Sequence, residues 1–465
     1  MQTKEPTPSA LERLALRSCE WSERWFPDPY VFAVLAVVIV AIAAMLIGTS
    51  PASVSVKFGE GFWSLIPFTM QMSFIIIGGF VTADSPPIEK LTRRLAALPR
   101  TGRGAVAMVA AFSMLLSLLH WGLSMILGSL LVRALARREG LHMDYRAAAA
   151  AAYLGLGATW ALGLSSSAAQ LQANAASMPP ALLTITGVIP FSETIFLWQS
   201  LLLTFILIVV STWIAWATAP APAQAKSAQQ LGVPPDKGRA EVPRRTRPGD
   251  WLEYSPLLNL VLVALGAGWL FFEFRTKGAG IAIANLNTYN LLFLLLGLLL
   301  QWNPRRFLDA VTRSVPSVAG VLIQFPLYGA TAAIMTGAAN ADGISVVTLL
   351  TEAFSEVTNS NTFAIVIGAY SAVMGMFIPS GGGKWIIEAP YVMQAASDLN
   401  YHLGWAVQIY NAAEALPNLV NPFWMLPVLG VLGLKARDLI GFTFMQFIVH
   451  VPLVLMLLWL LGMTL

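Results

Sequence analysis

Charge is scarce in this chain. Asp, Glu, Lys and Arg make up 11% of its 465 residues against 57% apolar, where a soluble globular protein carries roughly 25% charged residues. That shortage excludes a water-soluble fold. Cysteine occurs once, at Cys19, which excludes an intrachain disulfide and a cysteine metal cluster. The four histidines, His120, His142, His402 and His450, show no metal-ligand spacing. Walker, metalloprotease-helix and nucleophile-elbow patterns are all missing, so neither ATP-driven pumping nor an enzyme is expected, and no cofactor. The first 29 residues are polar, with no apolar core or Ala-x-Ala site, and do not read as a secretory signal.

What the chain has instead is long uncharged apolar runs, such as residues 32–47 and 291–300, recurring along its whole length. Runs of this kind read as an integral membrane protein of α-helices, and they are too long and too continuous for a barrel's alternating strands. About 20 residues cross a hydrocarbon core of roughly 30 Å. On that length the sequence predicts nine spans, at 31–48, 62–82, 146–178, 195–217, 255–274, 287–302, 315–337, 404–434 and 438–463. Two further stretches are each broken in the middle: 104–139 around His120-Trp121-Gly122-Leu123-Ser124, and 359–397 around Ile378-Pro379-Ser380-Gly381-Gly382-Gly383. Arg100 and Arg103 flank one end of the first, Arg137 and Arg138 the other; the second has acidic or neutral flanks, Glu352, Glu356 and Asp398. Like flanks on both sides predict re-entrant hairpins, entering from opposite faces.

With a cytoplasmic N-terminus, 24 of the 28 Lys and Arg fall on inside segments and only Lys57, Arg275 and Lys277 on outside loops. Lys384 remains within the membrane. The positive-inside rule therefore orients the chain, and nine crossings leave the C-terminus outside. On this reading the pI near 9.2 reflects basic loops on one membrane side, with no nucleic-acid partner.

The organisation follows as a cytoplasmic segment 1–29, a first membrane half 30–217, a polar Ala-, Pro- and Gln-rich linker 218–250 ending Pro243-Arg244-Arg245-Thr246-Arg247, and a second half 251–465. Each half holds a span, a hairpin and a broken span in that order. Gly163-Leu164-Ser165-Ser166-Ser167-Ala168 interrupts one long apolar helix and Pro417-Asn418-Leu419-Val420-Asn421-Pro422 the other, at an offset of 254. An odd number of crossings separates the halves, so they form an inverted repeat of the secondary-transporter kind, with hairpin tips and helix breaks meeting near the midplane.

Backbone groups unpaired at that depth have to line a protein cavity. Free N–H groups at helix N-termini suit a carboxylate, and free carbonyls suit a cation. Ser165, Ser166 and Ser167 in one break, and Ser380, Gly381, Gly382 and Gly383 in the second tip, are the leading substrate cradles, with Gly122 and Ser124 in the first tip. Intramembrane charge is costly and usually functional, which singles out Lys384 and Glu414. Lys384 can pair with a substrate carboxylate, with Glu388 one helical turn on, or with Glu414 across the site. Glu414 is the candidate cation-coupling residue, for H+ or Na+. Asn418 and Asn421 offer amides to substrate or cation, although Asn421 equally suits a helix cap. His120 fits a hydrogen-bonded packing role as well as a titrating one.

Pro379-Ser380-Gly381-Gly382-Gly383-Lys384-Trp385, Asn421-Pro422-Phe423-Trp424-Met425-Leu426-Pro427 and Trp121-Gly122-Leu123-Ser124 followed by Arg133 to Arg138 resemble the short-chain fatty acid transporter family of the ion transporter superfamily. The resemblance runs over nearly all of 20–463 except the linker. It implies uptake of short monocarboxylates across a bacterial inner membrane, coupled to a cation gradient, by a homodimer with scaffold and transport parts. The chain departs from the family pattern at Ala161-Leu162-Gly163-Leu164-Ser165, where the family has His-Gly-Gly-Leu-Ser. It departs again at Lys384, where the family has Gln, and at Ala413-Glu414-Ala415-Leu416-Pro417-Asn418, in place of Gly-Asp-x-Trp-Thr-Asn. These positions border the expected cavity, so the substrate stays open between monocarboxylates and another small metabolite such as a dicarboxylate or amino acid. A passive anion channel is the more distant alternative.

Overall fold

Glu12, Ala15, Cys19 and Ser22 recur at three- and four-residue spacing, the period of one helix face. In the computed structural model, which describes residues 10–175, 178, 180–234 and 246–465, helix α1 (Ala10–Trp25) buries that stripe. It lies across the last helix of the chain, with the Ser22 hydroxyl donating to the Arg437 carbonyl at 2.8 Å. Buried Glu12 pairs with Arg103 at 2.6 Å and accepts the Ala221 N–H at 2.6 Å. Burial pushes the Cys19 thiol up to about 12, so it carries almost no reactive thiolate at neutral pH.

Every other element among the described residues is also helical. The first half runs through α2 (Pro29–Leu46), α3 (Pro51–Ser64), α4 (Ile66–Ala83) and the amphipathic α5 (Pro86–Ala96). It continues through α6 (Gly102–Ser117), α7 (Trp121–Ala136), α8 (Tyr145–Leu154), the short α9 (Ser167–Gln172) and α10 (Pro180–Thr186), and α11 (Trp198–Thr218). The second half comprises α12 (Asp250–Tyr254), α13 (Leu257–Lys277), α14 (Ala279–Ala284), α15 (Leu286–Gln301), α16 (Pro304–Gly337) and α17 (Val346–Glu356). It ends with α18 (Phe363–Phe377), α19 (Gly381–Asp398), α20 (Leu403–Asn418), α21 (Leu426–Leu432) and α22 (Ala436–Gly462).

Seven helices among the described residues are long and apolar enough to cross a membrane, and α20 with the Phe423–Leu432 helix makes an eighth span bent by 75°. The nine expected spans map onto these eight plus α15, which at 16 residues is shorter than the roughly 20 that a straight crossing needs. Within each stretch expected as a hairpin, two consecutive helices pack on each other. Ser124 Oγ donates to the Ser113 carbonyl at 2.6 Å, laying α7 along α6, and Ser371 Oγ donates to Glu388 Oε2 at 2.6 Å, laying α19 along α18.

Two groups of helices emerge from the packing. The helices α2, α3, α4 and α15 gather around α16, with α13 packed on the outside of α15, while α6, α7, α8, α11, α18, α20 and α22 pack with the broken segments. The expected linker divides in two. Residues 219–234 dock on the protein, Lys226 N–H reaching Asp144 Oδ2 at 3.0 Å, whereas residues 235–245, including Pro243-Arg244-Arg245, lie outside the described residues, as do residues 1–9.

Candidate functional site

Both interruptions read from the sequence occur as breaks in the helices. After α8 the chain widens through a π turn at Gly155–Thr159, tightens through a 3-10 turn at Trp160–Leu162, then breaks at residues 163–166 before α9. The second break, residues 419–422, separates α20 from the 3-10 turn Phe423–Met425.

Tips and breaks meet. Ser165 N–H donates to the Leu118 carbonyl at 3.3 Å, and Ser165 Oγ accepts the Trp121 N–H at 3.0 Å, tying the first tip to the first break. A methyl group on Gly163 would lie 2.5 Å from the Leu118 carbonyl oxygen, a backbone approach that glycine alone permits. The second tip lies on the same break, since a methyl on Gly381 would lie 2.3 Å from the Trp160 ring and one on Gly382 3.3 Å from Ser167 Cβ. Trp424 closes the circle, donating from Nε1 to the Pro379 carbonyl at 3.0 Å and packing on Trp121 at 5.2 Å between ring centroids.

Beneath the second tip lies a charge cluster. Lys384, Glu388 and Glu414 are each at most 1% exposed. Lys384 Nζ donates to the Ser371 carbonyl at 2.7 Å and stands 2.6 Å from Glu414 Oε2 and 3.5 Å from Glu388 Oε1, with the Tyr410 ring 4.4 Å away. The Glu414 contact is a close ion pair without hydrogen-bond alignment, and neither Glu414 oxygen nor Glu388 Oε1 has a hydrogen-bond partner among the described residues. Of the three partners that the sequence allowed for Lys384, the nearest carboxylate is that of Glu414.

The other expected residues divide by what they touch. Ser166 caps α9 through the Ala169 N–H and donates to Asn411 Oδ1 at 2.9 Å. Ser380 caps α19 through the Gly383 N–H at 3.2 Å. Asn421 takes the capping role, accepting the Phe423 N–H at 3.1 Å while its amide donates to the Met376 carbonyl at 3.2 Å. Gly122 packs against Ile75, and Ser124 spends its hydroxyl inside the hairpin. His120 is a cap: Nδ1 accepts the Leu123 N–H at 3.1 Å, and the ring packs on Tyr289 and Phe293 at 4.3 and 4.2 Å. Asn418 is different. It is 1% exposed, and neither end of its amide finds a partner among the described residues.

Several neighbours were not anticipated. Asn411 bridges Ser166 to Gln408, whose amide reaches Ser200 Oγ at 2.9 Å. Tyr153 donates to the Asn418 carbonyl at 2.8 Å and Tyr410 to the Gly381 carbonyl at 2.6 Å. The buried indole N–H groups of Trp160 and Trp385 find no acceptor among the described residues. Part of this was readable: Gln408, Asn411, Glu414 and Asn418 recur every three or four residues on an otherwise apolar helix, one polar stripe along α20.

The model of the short chain fatty acid transporter family matches residues 10–461. The chain belongs to that family. It is 34% identical over 421 residues to a protein of Escherichia coli K12 named "Putative short-chain fatty acid transporter", covering 90% of this chain and 92% of that one. It is 31% identical over 438 residues to a Haemophilus influenzae protein of the same name, covering 92% and 95%. This family member is accordingly a multi-pass membrane transporter and no enzyme. Two solved structures overlay on it at 14% identity: the Alcanivorax borkumensis YdaH transporter, with a TM-score of 0.43 over 93% of this chain and 98% of that one, and Neisseria gonorrhoeae MtrF, with 0.44 over 96% of both. Scores at that level establish no residue correspondence.

Proposed function

We propose that the protein takes up short-chain fatty acids or similar small monocarboxylates across a bacterial inner membrane, coupled to a proton or sodium gradient, by alternating access. The observation that carries this reading is the meeting of two tips and two breaks beside a buried charge cluster and the unpartnered Asn418 amide. Buried polar groups nearly always have partners, so an amide, two indole N–H groups and three carboxylate oxygens without a hydrogen bond among the described residues suit a polar ligand. Helices α7 and α19 both start at the tips, which turns their positive dipole ends toward the place where a carboxylate would sit. Ser165, Ser166, Ser167, Ser380, Gly381, Gly382, Gly383 and Asn418 are then the substrate contacts, with Glu414 the coupling carboxylate. The group around α16 serves as scaffold and the group with the broken helices as the moving part, in a homodimer.

The test is a substrate panel in proteoliposomes with imposed pH or sodium gradients. Butyrate should accumulate above equilibrium only with a gradient, and more strongly than a dicarboxylate or an amino acid. Gradient-independent flux that stops at equilibrium would make the protein a channel.

The same reading makes both hairpins re-entrant from opposite faces of an inverted repeat, with the N-terminus cytoplasmic and the C-terminus outside. In a Cys19→Ser background, single cysteines at Gly104 and Gly140 should label from the cytoplasm alone, and at Asn359 and Asp398 from outside alone. Labelling of Gly104 and Gly140 from opposite faces would sink the hairpin topology.

A further inference from the structure

One cavity of about 250 Å³ lies away from the tips, between the ends of α4 and α7, the amphipathic α5, α16 and α21. Its charged lining is Arg93, Arg133, Arg137 and Arg313 with Asp84 and Glu89, four cations to two anions. Arg93 pairs with Glu89 at 2.5 Å and Arg313 with Asp84. The lining as a whole therefore carries an excess of positive charge whatever the internal pairing, and a concave surface of one sign raises the local concentration of the opposite ion. The volume falls below the roughly 300 Å³ at which drug-sized ligand sites begin, which suits a molecule of few heavy atoms.

The cavity is also connected to the tips by continuous elements. Helix α7 begins at Trp121 in the first tip and brings Arg133 and Arg137 to the cavity, roughly 18 to 24 Å along the helix at 1.5 Å per residue. The chain that leaves the second break at Phe423 likewise reaches the cavity at Gly430 and Val431. At the tip end of both elements stand Trp121, Trp424 and Phe423 with Phe325, packed edge to face at 4.6 to 5.4 Å. We propose that this arginine-lined cavity is a second carboxylate-binding site, the cytoplasmic station of the transport route, where Arg133 and Arg137 hold the anion after it passes the aromatic cluster. The transport part of this proposal rests on the function proposed above; the carboxylate site itself does not.

The experiment uses full-length Cys19→Ser protein carrying Ala134→Cys, a lining position, in phosphatidylcholine proteoliposomes. The rate of reaction with a cationic thiol reagent is measured against butyrate concentration, with and without an added Glu414→Gln change. Butyrate should slow labelling in both backgrounds. Arg133→Gln or Arg137→Gln should raise the half-protecting concentration about tenfold or more, the effect of losing one charge-assisted hydrogen bond. Arg137→Lys should recover part of the protection, which a folding defect would not allow. Absence of protection in protein that takes up butyrate overturns the cavity site and leaves the transport reading intact. Protection in protein that takes up no butyrate supports the site and fails the transport reading. Protection without butyrate in phosphatidylglycerol vesicles would assign the arginines to a lipid headgroup and overturn the carboxylate site.

Discussion

Replacing Lys384 with glutamine is expected to cost about 3–5 kcal/mol of stability, the usual penalty for removing one partner of a buried ion pair, and to abolish measurable uptake. The ammonium is wholly buried and faces three oxygens, those of Ser371, Glu414 and Glu388 at 2.7, 2.6 and 3.5 Å. Its loss leaves two carboxylates in contact distance of no cation. Because Glu414 is the nearer partner, Lys384→Gln combined with Glu414→Gln should restore thermal stability further than Lys384→Gln combined with Glu388→Gln. Glu388 keeps the Ser371 hydroxyl at 2.6 Å, so it tolerates the missing ammonium better. The measurement is the unfolding temperature in detergent of the single mutant and the two doubles, alongside butyrate affinity. A single mutant of unchanged stability that binds butyrate about tenfold more weakly would instead put the ammonium on the substrate.

The sequence carried the order of span, hairpin and broken span, because glycine, serine and proline inside an apolar run have few other uses at that depth. It also carried the three members of the charge cluster, since each is a charge where charge is costly. Which carboxylate lies nearest Lys384 was a different matter. Spacing along α19 offers Glu388 at the next turn, but Glu414 comes from α20 and is brought in by the packing of α18 against that helix, which no local period encodes. The bridge from Ser166 to Asn411 spans 245 residues and is hidden for the same reason. The α1 stripe at Glu12, Ala15, Cys19 and Ser22 was legible as a periodicity, whereas a composition reading of residues 1–29 sees only polarity. The docking of residues 219–234 was not legible, because Ala, Pro and Gln are common in free linkers and it is Glu12 and Asp144, far off in sequence, that hold the segment.

Glu414→Gln is expected to remove gradient-driven accumulation of butyrate while leaving exchange across the membrane. With both carboxylates ionised, the Lys384, Glu388 and Glu414 cluster holds two negative charges and one positive in a site almost closed to water. An uncompensated charge there is expensive, so the cluster gains by taking up one proton or cation, and among the described residues Glu414 is the carboxylate with no hydrogen bond on either oxygen, whereas Glu388 accepts one from Ser371. Glutamine in its place makes the remaining Lys384–Glu388 pair neutral without any ion. The variant then resembles a carrier permanently loaded with its coupling ion, able to change its facing with substrate but unable to draw on a gradient. Counterflow of labelled butyrate should persist, and imposed pH or sodium gradients should no longer raise the internal level above the external one. Glu388→Gln provides the contrast, because its carboxylate is already held by Ser371 and neutralising it leaves the Lys384–Glu414 contact of 2.6 Å. If Glu414→Gln still concentrates butyrate and Glu388→Gln does not, the coupling ion rides on Glu388. If both still concentrate it, coupling lies outside the cluster altogether.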